Sequence, residues 1–569
     1  MADSYRENVL ASLQNLQSVE NFDSLYNIYE YHQLLSLKKP GRLADSIGYI
    51  HRCLNSAKQR IEGLLLLELL ARQCTAEVFS QNVSTWIDLL SELLQSRCSP
   101  VVQRLVCVVT STILGAVPGF PEISREVGLN KVPQVLPVLL SAATEWRDSS
   151  IGCINRCMRN FPGACGPFKT KIEALIVTEL EKKNVAKEVF ECYALLAGCG
   201  GGGSEGVKYT QAWSTQCNKV LASLHRTLEK LYADLDSPVE ASTTLSEGLP
   251  LSNISGTEIE SLVQRYRVLS SCLESLLSED FPAVACVPAN EVVQLICRTL
   301  AVNNKILLLR PTTDRVCLAT FLPFLHHSAL SLLNCLILSC KKLLLPYSSV
   351  VVRLLGQELK WTQTTTSTST TRHYGQLRRA VYETLTLWLK LVGCLANVKS
   401  EGAVFIKNIL SDITPYEDTV KGNSKKSQEQ EGAGPPPTKK KKKGRGGYQD
   451  MSGGLGSWKK VDREVGRELA LSSLDALYWL VTVLGTRLTG DSLKTTQGVT
   501  IGIILELQRR GHKMAPPYMD PDCRRALYRV LLACVITPHP TAPNLCQCAL
   551  ALLRTGLQDT SVTVASYCT

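Results

Sequence analysis

The sequence predicts an all-α protein, an α-solenoid of HEAT/armadillo-like helical repeats interrupted by disordered loops. Three observations predict it. Leucine occurs 87 times in 569 residues while aromatics make up 6%. That balance suits helix-on-helix packing better than sheets, which draw on β-branched and aromatic side chains. Apolar residues recur at i, i+3 and i+4 in one segment after another, with charges on the opposite face. Short Pro- or Gly-marked turns join these segments, each too narrow to bury its own face, so they are expected to stack in a row. No strict repeat length is visible, and the expectation rests on architecture.

In chain order, residues 1–198 read as a first helical-repeat domain. Within it, VVQRLVCVVTSTIL (101–114) places Val102, Leu105, Val109 and Ile113 on one face, and KIEALIVTELEKK (171–183) repeats the pattern. The Gly-rich stretch 199–206 reads as a flexible joint. A second helical block spans 207–412, including RVLSSCLESLLSEDF (267–281), with polar loops near 236–256 and 362–374. Residues 413–460, rich in Gly, Lys, Pro and Ser, lack the apolar content for a core and are expected to be a disordered basic linker. A last helical block covers 461–569, opening on VDREVGRELALSSLDALYWLVTVLG. The long uncharged stretch from Val316 to Cys340 carries Pro323, His326, His327 and Asn334, and so reads as buried helix; a membrane span should be more uniformly apolar. The N-terminus MADSYRENVL has no signal-peptide core, and no membrane partner is expected.

Charge and cysteine usage narrow the function classes. The formal net charge is +11, and residues 413–460 hold 11 basic and 5 acidic residues, more than half of the excess. A folded surface that grips a duplex would carry its charge as a stripe, so the basicity here is local. The 22 cysteines fall singly on apolar helical faces, as at Cys107, Cys192, Cys297 and Cys335, with no C-x-x-C pair. They read as reduced, small hydrophobes in a cytosolic or nuclear compartment.

Enzyme motifs are present only formally. Gly202-Gly203-Ser204-Glu205-Gly206 matches the nucleophile elbow, and Gly198–Gly203 matches G-x-G-x-x-G, but both need a preceding strand where the pattern gives a helix. There is no Walker A sequence and no H-E-x-x-H, and the eight histidines are scattered. No catalytic residue, cofactor site or metal site is expected.

Four L-x-x-L-L sequences stand out: Leu66, Leu69 and Leu70; Leu90, Leu93 and Leu94; Leu136, Leu139 and Leu140; Leu273, Leu276 and Leu277. On a helix each trio forms one ridge that can enter a partner's hydrophobic groove, the pattern nuclear receptors read. The same ridge is what a solenoid helix buries in its own core. The run PPPTKKKKKGRGG (435–447) has three readings: linker, nucleic-acid arm or import signal. No aromatic alternates with the lysines to stack bases. A proline-flanked cluster of Lys439, Lys440, Lys441, Lys442, Lys443 and Arg445 has the form of a nuclear localisation signal.

The helical segments carry a resemblance. QRIEGLLLLELL (59–70), VFSQNVSTWIDLLSELLQ (78–95), CMRNFPGACGPFKTKI (157–172), VFECYALLAG (189–198), VKYTQAWSTQ (207–216), VVQLICRTLAV (292–302), ILSDITP (409–415) and CRRALYRVLLACVITPHP (523–540) together resemble the RIX family of ribosome-biogenesis scaffolds. The segment around FPGACG is the most specific. The resemblance implies a RIX-type N-terminal helical-repeat domain in a non-enzymatic scaffold of a nuclear complex, with further repeats after it. The implied partners are a WD40-repeat protein and a second helical-repeat protein in one complex. An endoribonuclease, a polynucleotide kinase and a SUMO protease associate with it, on pre-60S particles. The implied work is late maturation of the large ribosomal subunit and removal of an internal transcribed spacer. It also implies a homodimer and a nucleolar and nucleoplasmic location, with the cytoplasm as a further compartment. Animal members are described as transcriptional coregulators that bind nuclear receptors through L-x-x-L-L motifs and associate with chromatin. The family's proline- and glutamate-rich tail is absent after SVTVASYCT, so a truncated form is expected.

Overall fold

The computed structural model describes residues 40–96, 98–233, 247–254, 258–363, 374–415, 453–511 and 515–569, with a few isolated positions near 26–35 and at 235. Among the described residues there are helices and turns and no strand. The chain divides into two compact units, Met1–Leu295 and Ile296–Thr569.

The first unit contains α1 (Pro40–Asn55), α2 (Arg60–Gln73), α3 (Ala76–Gln95), α4 (Pro100–Ala116), α5 (Pro121–Glu126) and α6 (Val132–Leu140). It continues with α7 (Arg147–Asn160), α8 (Pro162–Cys165), α9 (Lys169–Leu180), α10 (Lys187–Leu195), α11 (Val207–Leu231) and α12 (Ile259–Ser278). Contacts sort these into two rows. One row runs α2, α4, α7, α10, α12, each helix packed on the next, while α3, α6, α9 and α11 back it from the other side. This is the stacking the amphipathic pattern demands, because a helix with an apolar face wider than one partner needs neighbours on two sides. The turns follow from local chemistry: Ser99 caps α4, its Oγ accepting from Val102 N–H at 3.4 Å, with Pro100 preset in the first turn.

The division falls inside α13 (Ala289–Leu300). The second unit holds α14 (Asn304–Leu308), α15 (Thr313–Cys340), α16 (Ser348–Trp361), α17 (Gly375–Val392), α18 (Gly402–Ile413), α19 (Gly453–Leu484), α20 (Gly490–Arg510), α21 (Pro521–Ile536), α22 (Cys546–Gly556) and α23 (Val562–Tyr567). Again α15, α17, α19, α21 and α23 stack in one row, and α16, α18, α20 and α22 in the other.

Three expectations about organisation are corrected. The Gly-rich stretch 199–206 is no joint, since the first unit continues through it to Leu295. Its glycines let it pack: Gly200 N–H donates to Pro162 C=O at 3.0 Å, and Tyr209 Oη–H donates to Gly200 C=O at 2.9 Å. The helices α11 and α12, expected in a second block, belong to the first unit. The last block is not separate either: α19 lies along α17 and touches α18, so sequence on both sides of the linker builds one core. The polar loop near 236–256 is partly anchored. Leu249 is buried with its N–H on Ser223 Oγ at 2.8 Å, and Arg265 donates to Ser252 C=O at 2.7 Å. The low-complexity residues 364–373 and the linker residues 416–452 lie outside the described residues.

The stretch from Val316 to Cys340 forms most of α15, a helix of 28 residues with Pro323 inside it. Pro100–Gly119, Thr313–Trp361 and Glu464–Arg487 are long and apolar enough to cross a membrane by length and composition. Here α4, α15 and α19 turn Val109, Leu330 and Leu477 into the helical core.

Candidate interaction surfaces and buried polar sites

The four leucine motifs fall on α2, α3, α6 and α12. Leu66, Leu69, Leu70, Leu90, Leu93, Leu94, Leu136, Leu139, Leu273, Leu276 and Leu277 are all buried, and only Leu140, at the end of α6, is half-exposed. In each case the ridge faces the neighbouring rows of its own unit. A groove-docking helix must offer this ridge to solvent, and the folded unit does not. Lys439, Lys440, Lys441, Lys442, Lys443 and Arg445 lie outside the described residues.

The formal enzyme motifs acquire a context that opposes them. Ser204 sits in a short 3-10 turn preceded by α10 and another 3-10 turn, with no strand to strain it. A buried acid–base pair joins His326 on α15 with Glu358 on α16, Nδ1 to Oε2 2.9 Å, both 0% exposed. His326 also meets Trp361 edge to face at 5.4 Å. No substrate reaches a pair sealed among helices, so it reads as a core contact. No group of three or more metal-ligating side chains forms among the described residues. Burial pushes the thiols of Cys107, Cys217, Cys523 and Cys534 up to about 12, so they stay protonated and pack as apolar groups.

Sequence reading missed the polar anchors. Arg378 on α17 is 6% exposed. Its Nε and Nη2 donate to Asp412 Oδ2 on α18 at 2.9 and 2.6 Å. Its Nη1 donates to Leu359 C=O of α16 at 3.2 Å and to Thr362 Oγ1 at 3.1 Å. Tyr382 Oη–H completes the set on Asp412 at 2.7 Å. One guanidinium thus ties three consecutive helices. The available signal was Asp412 itself, a lone acid between apolar residues in ILSDITP. Arg524 in CRRALYRV plays a similar part, paired two-pronged with Asp559 at 2.8 and 2.9 Å and capping the Tyr518 C=O at 2.9 Å.

On the outward side of α17, α19 and α21 the charges interlock. Arg379 pairs with Glu383 at 2.7 Å and with Glu468; Asp475 holds Lys390 at 3.4 Å and Arg529 at 2.8 Å. Arg529 also lies over the Tyr478 ring at 3.7 Å. This seam pairs its cations with its own carboxylates and is no basic stripe. Exposed apolar side chains are scattered: Val284, Leu309, Leu343, Ile536 and Val562 lie at turns and helix ends, and Phe324 and Leu338 lie within α15.

Stacked helix pairs with satisfied seams and no assembled reaction centre among the described residues define an all-α helical-repeat solenoid of the HEAT/armadillo kind. Residues 8–187 match the RIX1 family model, described as rRNA processing/ribosome biogenesis. The chain is 30% identical over 585 residues to proline-, glutamic acid- and leucine-rich protein 1 of Xenopus laevis, covering 98% of this chain and 55% of that one. To the Mus musculus protein of the same name it is 31% identical over 529 residues, covering 90% and 47%. Residues 8–187 are therefore similar to the RIX1 family, and the chain is similar to these proteins over about half of their length. Among solved structures, a chain of the Rix1 subcomplex in a Rix1–Rea1 pre-60S particle superposes with a TM-score of 0.66 at 13% identity, over 96% of this chain and 95% of that one. That likeness bears out the solenoid fold.

Proposed function

We propose that this chain is a non-enzymatic scaffold for maturation of the large ribosomal subunit in the nucleus and nucleolus. The observation that carries the reading is the RIX1 match over residues 8–187, borne on a two-row stack of helices. Such a stack offers long rows of helix ends and turns on which several partners sit at fixed spacing. The partners expected are a WD40-repeat protein and a second helical-repeat protein, with an endoribonuclease, a polynucleotide kinase and a SUMO protease joining them. The chemistry, including removal of an internal transcribed spacer, belongs to those partners. The test is purification of the tagged chain from nucleolar extract, with the co-purifying proteins identified by mass spectrometry. A WD40-repeat protein and pre-60S proteins are expected; their absence would sink the reading. Deleting residues 439–445 is expected to move the chain toward the cytoplasm, and unchanged nuclear accumulation would remove the address function from the lysine run.

The alternative, a coregulator docking nuclear receptors through its leucine motifs, has little support in the folded units because the ridges are buried. It would be favoured by a receptor ligand-binding domain that captures the chain and loses it when Leu136, Leu139 and Leu140 are changed while folding is retained.

A further inference from the structure

Two turns of the first unit touch main chain to main chain, and a cysteine precedes the contact in each. A Cβ on Gly166 would lie 2.8 Å from Gly200 Cα, and Gly200, with φ +101°, would place one 3.7 Å from Gly166 Cα. Only glycine allows that approach. Gly200 N–H donates to Pro162 C=O at 3.0 Å, which fixes the register of the two turns. The residues just before the contact are Cys165, which ends α8, and Cys199, which comes after a 3-10 turn at the end of α10. The Cys199 thiol donates to Leu195 C=O at 3.5 Å, and the two thiols lie close enough to shift one another's acidity.

We propose that Cys165 and Cys199 form a redox-active pair that closes into an intramolecular disulfide under a hydroperoxide and reopens with a dithiol. The other near pair is excluded by geometry. Cys153 and Cys157 are four apart on α7, where Cβ atoms lie about 5–6 Å apart, beyond the roughly 3.5–4.5 Å a disulfide spans. Cys192 is held within helix α10. Cys165 and Cys199 sit on turns, where small main-chain adjustments align the sulfurs.

Cys199 is the attacking thiol. It is 6% exposed beside the open Gly201–Gly203 loop, whereas Cys165 is 0% exposed. Interaction with the Cys165 thiol, together with the nearby Lys169 ammonium, outweighs burial and holds the Cys199 thiol below its ordinary value. In the first step the Cys199 thiolate attacks one peroxide oxygen, the O–O bond breaks and hydroxide leaves, giving a sulfenic acid. In the second, the Cys165 sulfur attacks the sulfenic sulfur, its proton goes to the departing hydroxyl, and water leaves. Two thiols are oxidised by two electrons and one peroxide is reduced to two waters. The disulfide would fasten the FPGACG turn to the end of α10, with α9 enclosed in the loop.

The test uses the full chain, reduced and then exposed to graded hydrogen peroxide. Remaining thiols are blocked with N-ethylmaleimide under denaturing conditions, and the chain is cut without reductant by chymotrypsin. A parallel digest with trypsin added cuts after Arg159, and chymotryptic cleavage after Phe168, Tyr193 and Leu196 completes the separation of Cys165 from Cys157 and of Cys199 from Cys192. A Cys165–Cys199 cross-linked peptide is expected at peroxide doses that leave buried Cys217 and Cys272 alkylated, and dithiothreitol is expected to dissolve it. Cys165→Ser and Cys199→Ser should each abolish it, while Cys153→Ser keeps it; far-UV circular dichroism of each variant confirms that the fold persists. If exposed Cys286 is fully oxidised with no cross-link formed, or if the pairing is Cys157–Cys192, the proposal is overturned. Should Cys165→Ser unfold the chain, sulfenic-acid trapping by dimedone on the wild type decides: label at Cys199 at low dose supports the pair, and label elsewhere first refutes it.

Discussion

Leu70→Ala distinguishes a core leucine from a docking leucine. Leu70 is fully buried on α2, between α1 and α4. Truncating it removes three heavy atoms from a packed core and leaves a cavity. The series of such substitutions costs about 2–5 kcal/mol. In a unit of this size each kcal/mol lowers Tm by roughly 2–4 °C, so a fall on the order of 5–15 °C is expected. Leu140→Ala is the internal control, because its side chain is half-exposed at the end of α6; its cost should stay below about 1 kcal/mol. The assay is a thermal melt monitored by circular dichroism on the full chain, with hydrogen exchange locating the loss to residues 40–116. If Leu70→Ala melts within about 1 °C of the parent yet loses a receptor partner, the leucine acts at the surface and the burial argument fails.

Arg378→Ala strands buried Asp412 and should cost about 3–5 kcal/mol, read as more than a hundredfold faster amide exchange in α16 and α18. Arg378→Met with Asp412→Leu should recover much of that loss, and a double variant no better than the single one would refute the assignment. Gly63→Ala should destabilise, because the added Cβ would meet Leu54 N at 2.9 Å and Cys53 Cβ at 3.0 Å. Gly152→Ala on α7 meets nothing within 4 Å and should stabilise by about 0.4–1 kcal/mol; equal melting shifts would contradict the packing described. Burial alone would raise the Asp559 carboxyl, but hydrogen bonds from Arg524 and the Ser561 N–H win and hold it below its ordinary value. Its contribution is therefore complete above the ordinary carboxylate range and is lost as pH falls through the lower native value. As pH falls below the ordinary carboxylate range, melting of the parent should drop more steeply than that of Asp559→Asn, and parallel curves would show that the pair is not linked to folding.

The sequence by itself determined the class of fold, the helical segments and the expectation that no reaction centre is assembled. Helix periodicity and caps are local: VVQRLVCVVTSTIL forms α4 because its apolar stripe and the Ser99-Pro100 start lie within the segment. The local pattern also marked the leucine ridges, but could not say which way they face. A ridge that docks and a ridge that packs have the same spacing, and only the neighbouring helices decide. The same holds for domain limits. A glycine run reads as a joint until Gly200 is found against Gly166 and Pro162, and a linker reads as a boundary until α19 is found along α17. Arg378 with Asp412, and Cys165 with Cys199, are 34 residues apart in each case. Their partnership depends on how rows of helices stack, a long-range property that no local pattern records.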